Sequence, residues 1–186
     1  MIHININGLY HKFEKFKYIM KTNRNDLIIV TESHCNIESE KNIQLKGYQL
    51  YLSPTTKSRS AGIAIYVKEN IDVVVLENIN LTSILSNIIV IKIRCDLEFY
   101  TIIAIYRSPS FKYELFMDQL QLVLNKYNQE RVILTGDFNV DTNKNTNRTK
   151  EFLLTIAAFN LQQRITQLTH MSRKSKTIIE NVFTKK

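Results

Sequence analysis

Apolar and polar positions alternate from Met1 to Ile6, which predicts a short first strand ending near Asn5 to Asn7, where Gly8 breaks the pattern. Leu9, Phe13, Phe16, Tyr18, Ile19 and Met20 then recur near helical spacing, with lysines between them. Leu27-Ile28-Ile29-Val30 is an unbroken apolar run, too short for a helix and rich in β-branched residues. It predicts a buried strand with Glu32 at its carboxyl end. From Tyr48 onward the pattern is sheet-like, with strands expected at residues 48–52, 62–67, 72–76, 87–94 and 99–106. Residues 112–127 place Leu115, Phe116, Leu120, Val123 and Leu124 on one helical stripe. A buried strand is expected at 131–135, a polar loop at 141–147, a second amphipathic helix at 149–160 and a closing strand at 176–183. Strands interleave with helices, without internal repeat or break in composition. The expectation is one mixed α/β domain over residues 1–186, with helices outside a sheet core.

Composition narrows this picture a little. Over 186 residues, 44% hydrophobic and 23% charged residues are an ordinary globular balance, and 4 Gly with 2 Pro argue against long linkers or a turn-dense sandwich. The formal charge of +8 favours a polyanionic partner. Cys35 and Cys95 have no CxxC spacing and no neighbouring His in a zinc pattern, so both are expected to be reduced and structural. No apolar run approaches the roughly 18 to 20 residues of a spanning helix, and the first residues have no charged-then-apolar signal region. An intracellular, unsecreted protein without a membrane partner is expected.

Polar residues just beyond buried strands carry the candidate chemistry, because a sheet fixes their backbone while the strand end faces a crevice. Four segments qualify. In Asn5-Ile6-Asn7-Gly8 the amides can serve a hard cation or a phosphate, or simply end a strand in a turn. Glu32 is either a carboxylate ligand for Mg²⁺ or a surface residue opening a loop. Tyr106 and Arg107 can donate to phosphate oxygens, or be a snorkelling phenol and a surface guanidinium before Pro109. In Gly136-Asp137-Phe138-Asn139, extended backbone would put Asp137 and Asn139 on one side and Phe138 in the core, and an Asx turn is the competing reading. His3, His11, His34 and His170 are scattered, and none pairs with an acid at a catalytic spacing.

Taken in order, these segments resemble the endonuclease/exonuclease/phosphatase family, and within it the apurinic-endonuclease-like endonuclease domain of LINE-type (non-LTR) retrotransposons. The resemblance also includes His3-Ile4-Asn5, Ala61-Gly62-Ile63-Ala64-Ile65-Tyr66 and Ile105-Tyr106-Arg107-Ser108-Pro109. It implies a four-layered α/β sandwich, two mixed β-sheets packed face to face with helices outside. It also implies Mg²⁺ (or Mn²⁺) held with the help of Asn5 and Glu32. Asp137 would orient or deprotonate the attacking water, Asn139 would hold a phosphate oxygen, and Tyr106 would touch the scissile phosphate. Asn7 and Arg107 would contact phosphate, and the basic segments 57–59 and 173–176 would grip the DNA backbone. DNA is the implied partner, with a reverse-transcriptase domain in the parent polyprotein and a nuclear location.

Three departures follow from the same resemblance. Glu180 stands where the family carries Asp, and Asn7 where apurinic endonucleases carry Asp. The family's Ser-Asp-His motif belongs to a later strand, and this chain stops at Lys186 before it. The domain is therefore expected to be C-terminally truncated, without its final strand. An active endonuclease, a remnant that only binds nucleic acid, and a phosphatase of the same fold all remain open.

Overall fold

The computed structural model describes residues 1–35, 38–53, 62–80, 86–171 and 176–185. The expected DNA-gripping segments 57–59 and 173–175 lie outside these residues. In chain order the elements are β1 (Ile2–Asn5), α1 (Leu9–Thr22), β2 (Leu27–Thr31), a 3₁₀ turn (Glu40–Asn42), β3 (Tyr48–Ser53), β4 (Ile63–Lys68), β5 (Val73–Asn80), β6 (Ser86–Cys95) and β7 (Glu98–Arg107). There follow α2 (Tyr113–Lys126), β8 (Val132–Asp137), α3 (Asn147–Ala158), β9 (Leu161–Gln163), β10 (His170–Met171), β11 (Lys176–Thr177) and β12 (Glu180–Lys185).

Two sheets result, ordered β1-β2-β4-β3 and β5-β6-β7-β8-β12-β9, and β10 and β11 form a separate ribbon. Both sheets are mixed: β1 runs parallel to β2 and β7 to β8, while the other pairs are antiparallel. Alternation along the strands sorts the apolar side chains into three cores. Leu27, Ile29, Ile63 and Ile65 of the first sheet interlock with Ile89, Ile91, Ile102 and Ala104 of the second. Leu9, Phe13, Phe16 and Met20 of α1 cover the outer face of the first sheet at Ile28, Val30, Ala64 and Tyr66. Phe116, Leu120 and Leu124 of α2, with Phe152 and Ile156 of α3, cover Ile88, Val90, Ile103 and Leu134 of the second. The layers are helix, sheet, sheet, helices: the expected four-layered α/β sandwich.

The differences from the expected elements have local causes. Tyr18 and Ile19 are 72% and 39% exposed and Leu115 is 48% exposed, so both helical stripes are narrower than their apolar residues suggest. Helix α3 begins two residues early because the Thr146 hydroxyl accepts the Thr149 N–H at 3.1 Å and caps it. The expected closing strand divides at Ile178-Ile179, whose carbonyls accept from Thr142 and Phe138 of a neighbouring loop instead of from a strand. Strand β5 runs on to Asn80, and β9 is too short to leave a period in the sequence. Among the described residues no helix is long and apolar enough to cross a membrane.

Candidate active site

Parallel pairing brings strand ends together. Because β1 and β2 run the same way, Asn5 and Thr31 pair at the carboxyl edge of the first sheet, and Glu32 follows immediately. In the second sheet Tyr106 pairs with Asp137 across β7 and β8, and Asp137 pairs with Glu180 across β8 and β12. Asn87 pairs with Tyr106 from the other side. Residues in register point to the same face, so Asn87, Tyr106, Asp137 and Glu180 form one polar row. The two edges meet at Asn5. Its Nδ2 donates to Glu32 Oε1 at 2.9 Å and to Asp137 Oδ2 at 2.9 Å.

The loops around this junction are held in left-handed backbone. Asn7, Glu32, His34 and Asn139 have φ of 46°, 52°, 53° and 48°. Such angles are costly for non-glycine residues and persist only where neighbours fix them. Here the Gly8 and Leu9 N–H groups bond to the carbonyls of Glu32 and Ser33, at 2.8 and 2.9 Å. The Lys12 ammonium donates to the carbonyls of Ile6 and Asn7.

Asp137 is 1% exposed. Burial pushes its carboxyl up to about 7; the Asn5 hydrogen bond opposes the rise, and the charges of Glu180 and Glu32 add to it. Tyr106 is also 1% exposed, and burial, then the charges of Glu32 and Asp137, push its phenol well above the ordinary range. It is therefore a neutral hydrogen-bond donor. Among the described residues none of Glu32, Asp137 and Glu180 forms an ion pair with Lys or Arg. Glu180 Oε2 is buried without a hydrogen-bond partner.

Carboxylates without a direct ion-pair partner suit a hard divalent cation. Among the described residues no three His, Cys, Asp or Glu side chains group closely enough to hold a metal ion by themselves. The set is open: Glu32 and Asp137 both accept from the Asn5 amide, and with it would hold a cation through few protein ligands. Mg²⁺ is commonly held by one or two carboxylates plus water and substrate oxygens, so the residues fit it. Asn5 differs in detail from the expectation, because its Oδ1 accepts the Asn7 N–H at 3.2 Å. To offer oxygen to a metal its amide must turn. An open cavity of about 500 Å³, lined by His3, Asn5, Glu180 and Asn181 among others, adjoins the cluster.

The second half of the site differs from the sequence reading. Asn139 is left-handed, not extended, and its N–H donates to Asp137 Oδ1 at 3.1 Å, so the Asx turn is what forms. Its Nδ2 donates to the Arg107 carbonyl at 2.7 Å, which leaves one amide N–H for a phosphate oxygen. Phe138 is buried as expected, 5.3 Å from Phe152 and 5.6 Å from Phe183 between ring centres. Arg107 is not a surface guanidinium. It is 6% exposed and donates to the carbonyls of Phe138, Phe111 and Asn139 at 2.7, 2.9 and 2.8 Å. Arg107→Ala would leave these carbonyls without a donor, so it is expected to cost about 3 kcal/mol or more in a denaturant titration. Asn7 is exposed and closes the turn over Asn5.

Two contributors were not visible in the sequence. Asn87, at the start of β6, accepts the Gly62 N–H at 2.9 Å and so ties the two sheets together beside Tyr106. Lys12 steadies the Asn7 loop from one turn into α1. Neither has a motif; Asn87 is revealed by the pairing of β6 with β7 and Lys12 by its bonds to the Ile6 and Asn7 carbonyls.

A two-sheet α/β sandwich with an acid–amide cluster where the sheet edges meet defines the class, and residues 2–167 match the model of the Endonuclease/Exonuclease/phosphatase family, to which the chain belongs. Among solved structures it is similar to the endonuclease domain of TRAS1, a telomere-specific non-LTR retrotransposon. That match has 16% identity and a TM-score of 0.78, covering 97% of this chain and 82% of that one. It is also similar to the AP endonuclease LMAP from Leishmania major, at 13% identity and TM-score 0.75 over 98% of this chain and 78% of that one. The 3′ phosphatase NExo from Neisseria, bound to product DNA hairpin, matches at 15% identity and TM-score 0.68 over 98% and 85%. No curated protein sequence is matched. At these identities the structural likenesses establish the fold.

Proposed function

We propose that the chain is a Mg²⁺-dependent endonuclease domain that hydrolyses DNA phosphodiester bonds, with the centre at Asn5, Glu32, Tyr106, Asp137 and Asn139. The observation that carries this is the convergence of Glu32 and Asp137 on Asn5 from two different sheets. Glu32 and Asp137, with Asn5 turned, would hold the cation, which when bound supplies Lewis-acid neutralisation of charge developing on the phosphate. Asp137, buried at the end of β8, holds the attacking water and accepts its proton. The remaining Asn139 amide N–H and the Tyr106 phenol donate to phosphate oxygens as charge builds on them. The net charge of +8 supports a polyanionic substrate.

The ordered sequence segments, together with the likeness to the TRAS1 retrotransposon endonuclease domain, support target nicking for a retrotransposon; that role would place the chain in the nucleus and beside a reverse-transcriptase domain. The NExo likeness makes a 3′-phosphate the competing substrate. Supercoiled plasmid and a 3′-phosphorylated oligonucleotide, each with Mg²⁺, separate the two. The endonuclease reading expects open-circle DNA at a rate at least about tenfold above phosphate release, a preference worth about 1.4 kcal/mol. Phosphate release with the plasmid left closed would contradict it.

A further inference from the structure

Arg107 is pushed below its ordinary pKa by burial and supported across space by the charge of Asp137. It is a buried guanidinium bonded to carbonyls, and among the described residues no carboxylate forms a direct ion pair with it. Carbonyl dipoles only partly offset the desolvation of a buried charge. Arg107 also lines a cavity of about 120 Å³ against Asn139, whose other lining residues include Tyr113, Asp141, Lys144, Arg148 and Thr149. Arg148 lies over the Tyr113 ring, 5.3 Å from its centre, and only 3.8 Å from exposed Glu114. Lys144 is 3.5 Å from Asp141 Oδ2, an oxygen buried without a hydrogen-bond partner. Asp141 Oδ1 is occupied by the N–H groups of Asn143 and Ile178. The lining thus sets three cations, Arg107, Lys144 and Arg148, against the single carboxylate of Asp141, and the pairs of Lys144 with Asp141 and of Arg148 with Glu114 are long.

We propose that this cavity is an anion subsite for a phosphate group, the phosphodiester neighbouring the scissile one on a DNA strand, held by Arg148 and Lys144 over the buried charge of Arg107. Asn139 couples the two places. Its N–H bonds to Asp137 and its side chain to the Arg107 carbonyl, so one residue joins the cavity wall to the catalytic carboxylate. The identity of the strand as nuclease substrate rests on the function proposed above; the anion site itself does not.

The test is binding in EDTA, where no metal-dependent cleavage occurs. Fluorescently labelled dT8 is titrated by anisotropy into the 186-residue protein and into the Lys144→Ala/Arg148→Ala variant at several salt concentrations. Both side chains are largely exposed, so the variant is expected to melt with the wild type. The expected result is about tenfold weaker binding and a salt slope shallower by about 1.4, two contacts on a single strand at about 0.7 each. Unchanged affinity and slope would overturn the proposal. If inorganic phosphate stabilises the wild type but not the variant while dT8 binds both equally, the cavity takes free phosphate and the strand assignment fails. A protein that shows the expected dT8 dependence but never nicks plasmid with Mg²⁺ would overturn the nuclease reading and leave the subsite standing.

Discussion

Gly136→Ala is expected to destabilise the protein by more than about 4 kcal/mol, which puts it among the severe single substitutions. A Cβ at this position would sit 1.8 Å from the Ile105 carbonyl oxygen and 2.8 and 2.9 Å from the Ile105 carbonyl carbon and nitrogen. These are backbone atoms of the neighbouring strand, so no side chain can swing aside. The φ of +146° adds a conformation that residues with a side chain rarely adopt. Relief requires β7 and β8 to separate where Ile105 faces Gly136, one residue before the pairing that sets Tyr106 beside Asp137. Stability and site would be lost together. Gly47→Ala is the control: its φ is +84°, but a Cβ there meets nothing within 4 Å. A thermal melt should show Gly136→Ala lower by at least about 10 °C and Gly47→Ala by only a few degrees. Equal, small shifts would mean that the two strands are not packed this tightly at Gly136.

Asp137→Asn is expected to abolish hydrolysis and, without metal, to stabilise the fold. The sign follows from the carboxyl's position. Its folded value of about 7 lies above the ordinary 3.8, so the folded state binds the proton more tightly than the unfolded chain. The metal-free wild type therefore loses stability as pH rises from about 4 to about 7, by at most about 4 kcal/mol, and the loss is complete above that range. The amide that replaces the carboxyl carries no such charge. The variant should lack this slope and melt higher than the wild type in EDTA at a pH of about 8. Mg²⁺ should raise the wild-type midpoint, because a ligand that binds only the folded state stabilises it, and should leave the variant unmoved. A variant that melts lower than the wild type in EDTA would mean that the Asp137 charge is already compensated inside the protein.

Much of the architecture is legible in the pattern of the chain because burial on one or both faces leaves a period. The uninterrupted Leu27–Val30 run and the helical recurrence of Phe13, Phe16 and Met20 both correspond to observed elements. Strand-end polar residues are equally visible, since Asn5, Glu32 and Asp137 each stand at the end of an expected strand, and the structure brings them together. Their bonding was not legible. Which atom of the Asn5 amide faces the carboxylates depends on a contact spanning 132 residues. Whether Asn139 continues the strand or turns depends on Arg107, which local sequence shows only as a charged residue before a proline-led turn. A guanidinium that binds three carbonyls has the same letter in the sequence as one that awaits a phosphate.

The most direct test of the central claim, that the Asn5–Glu32–Asp137 junction is a metal-dependent phosphodiesterase centre, is a plasmid-nicking time course. It compares wild type and Asp137→Ala, each with Mg²⁺ and with EDTA. Open-circle product is expected only for the wild type with Mg²⁺, with the Asp137→Ala rate lower by at least about 10³-fold, the combined loss of a positioned proton acceptor and a metal ligand. Equal nicking by the two proteins, or nicking that persists in EDTA, would contradict it.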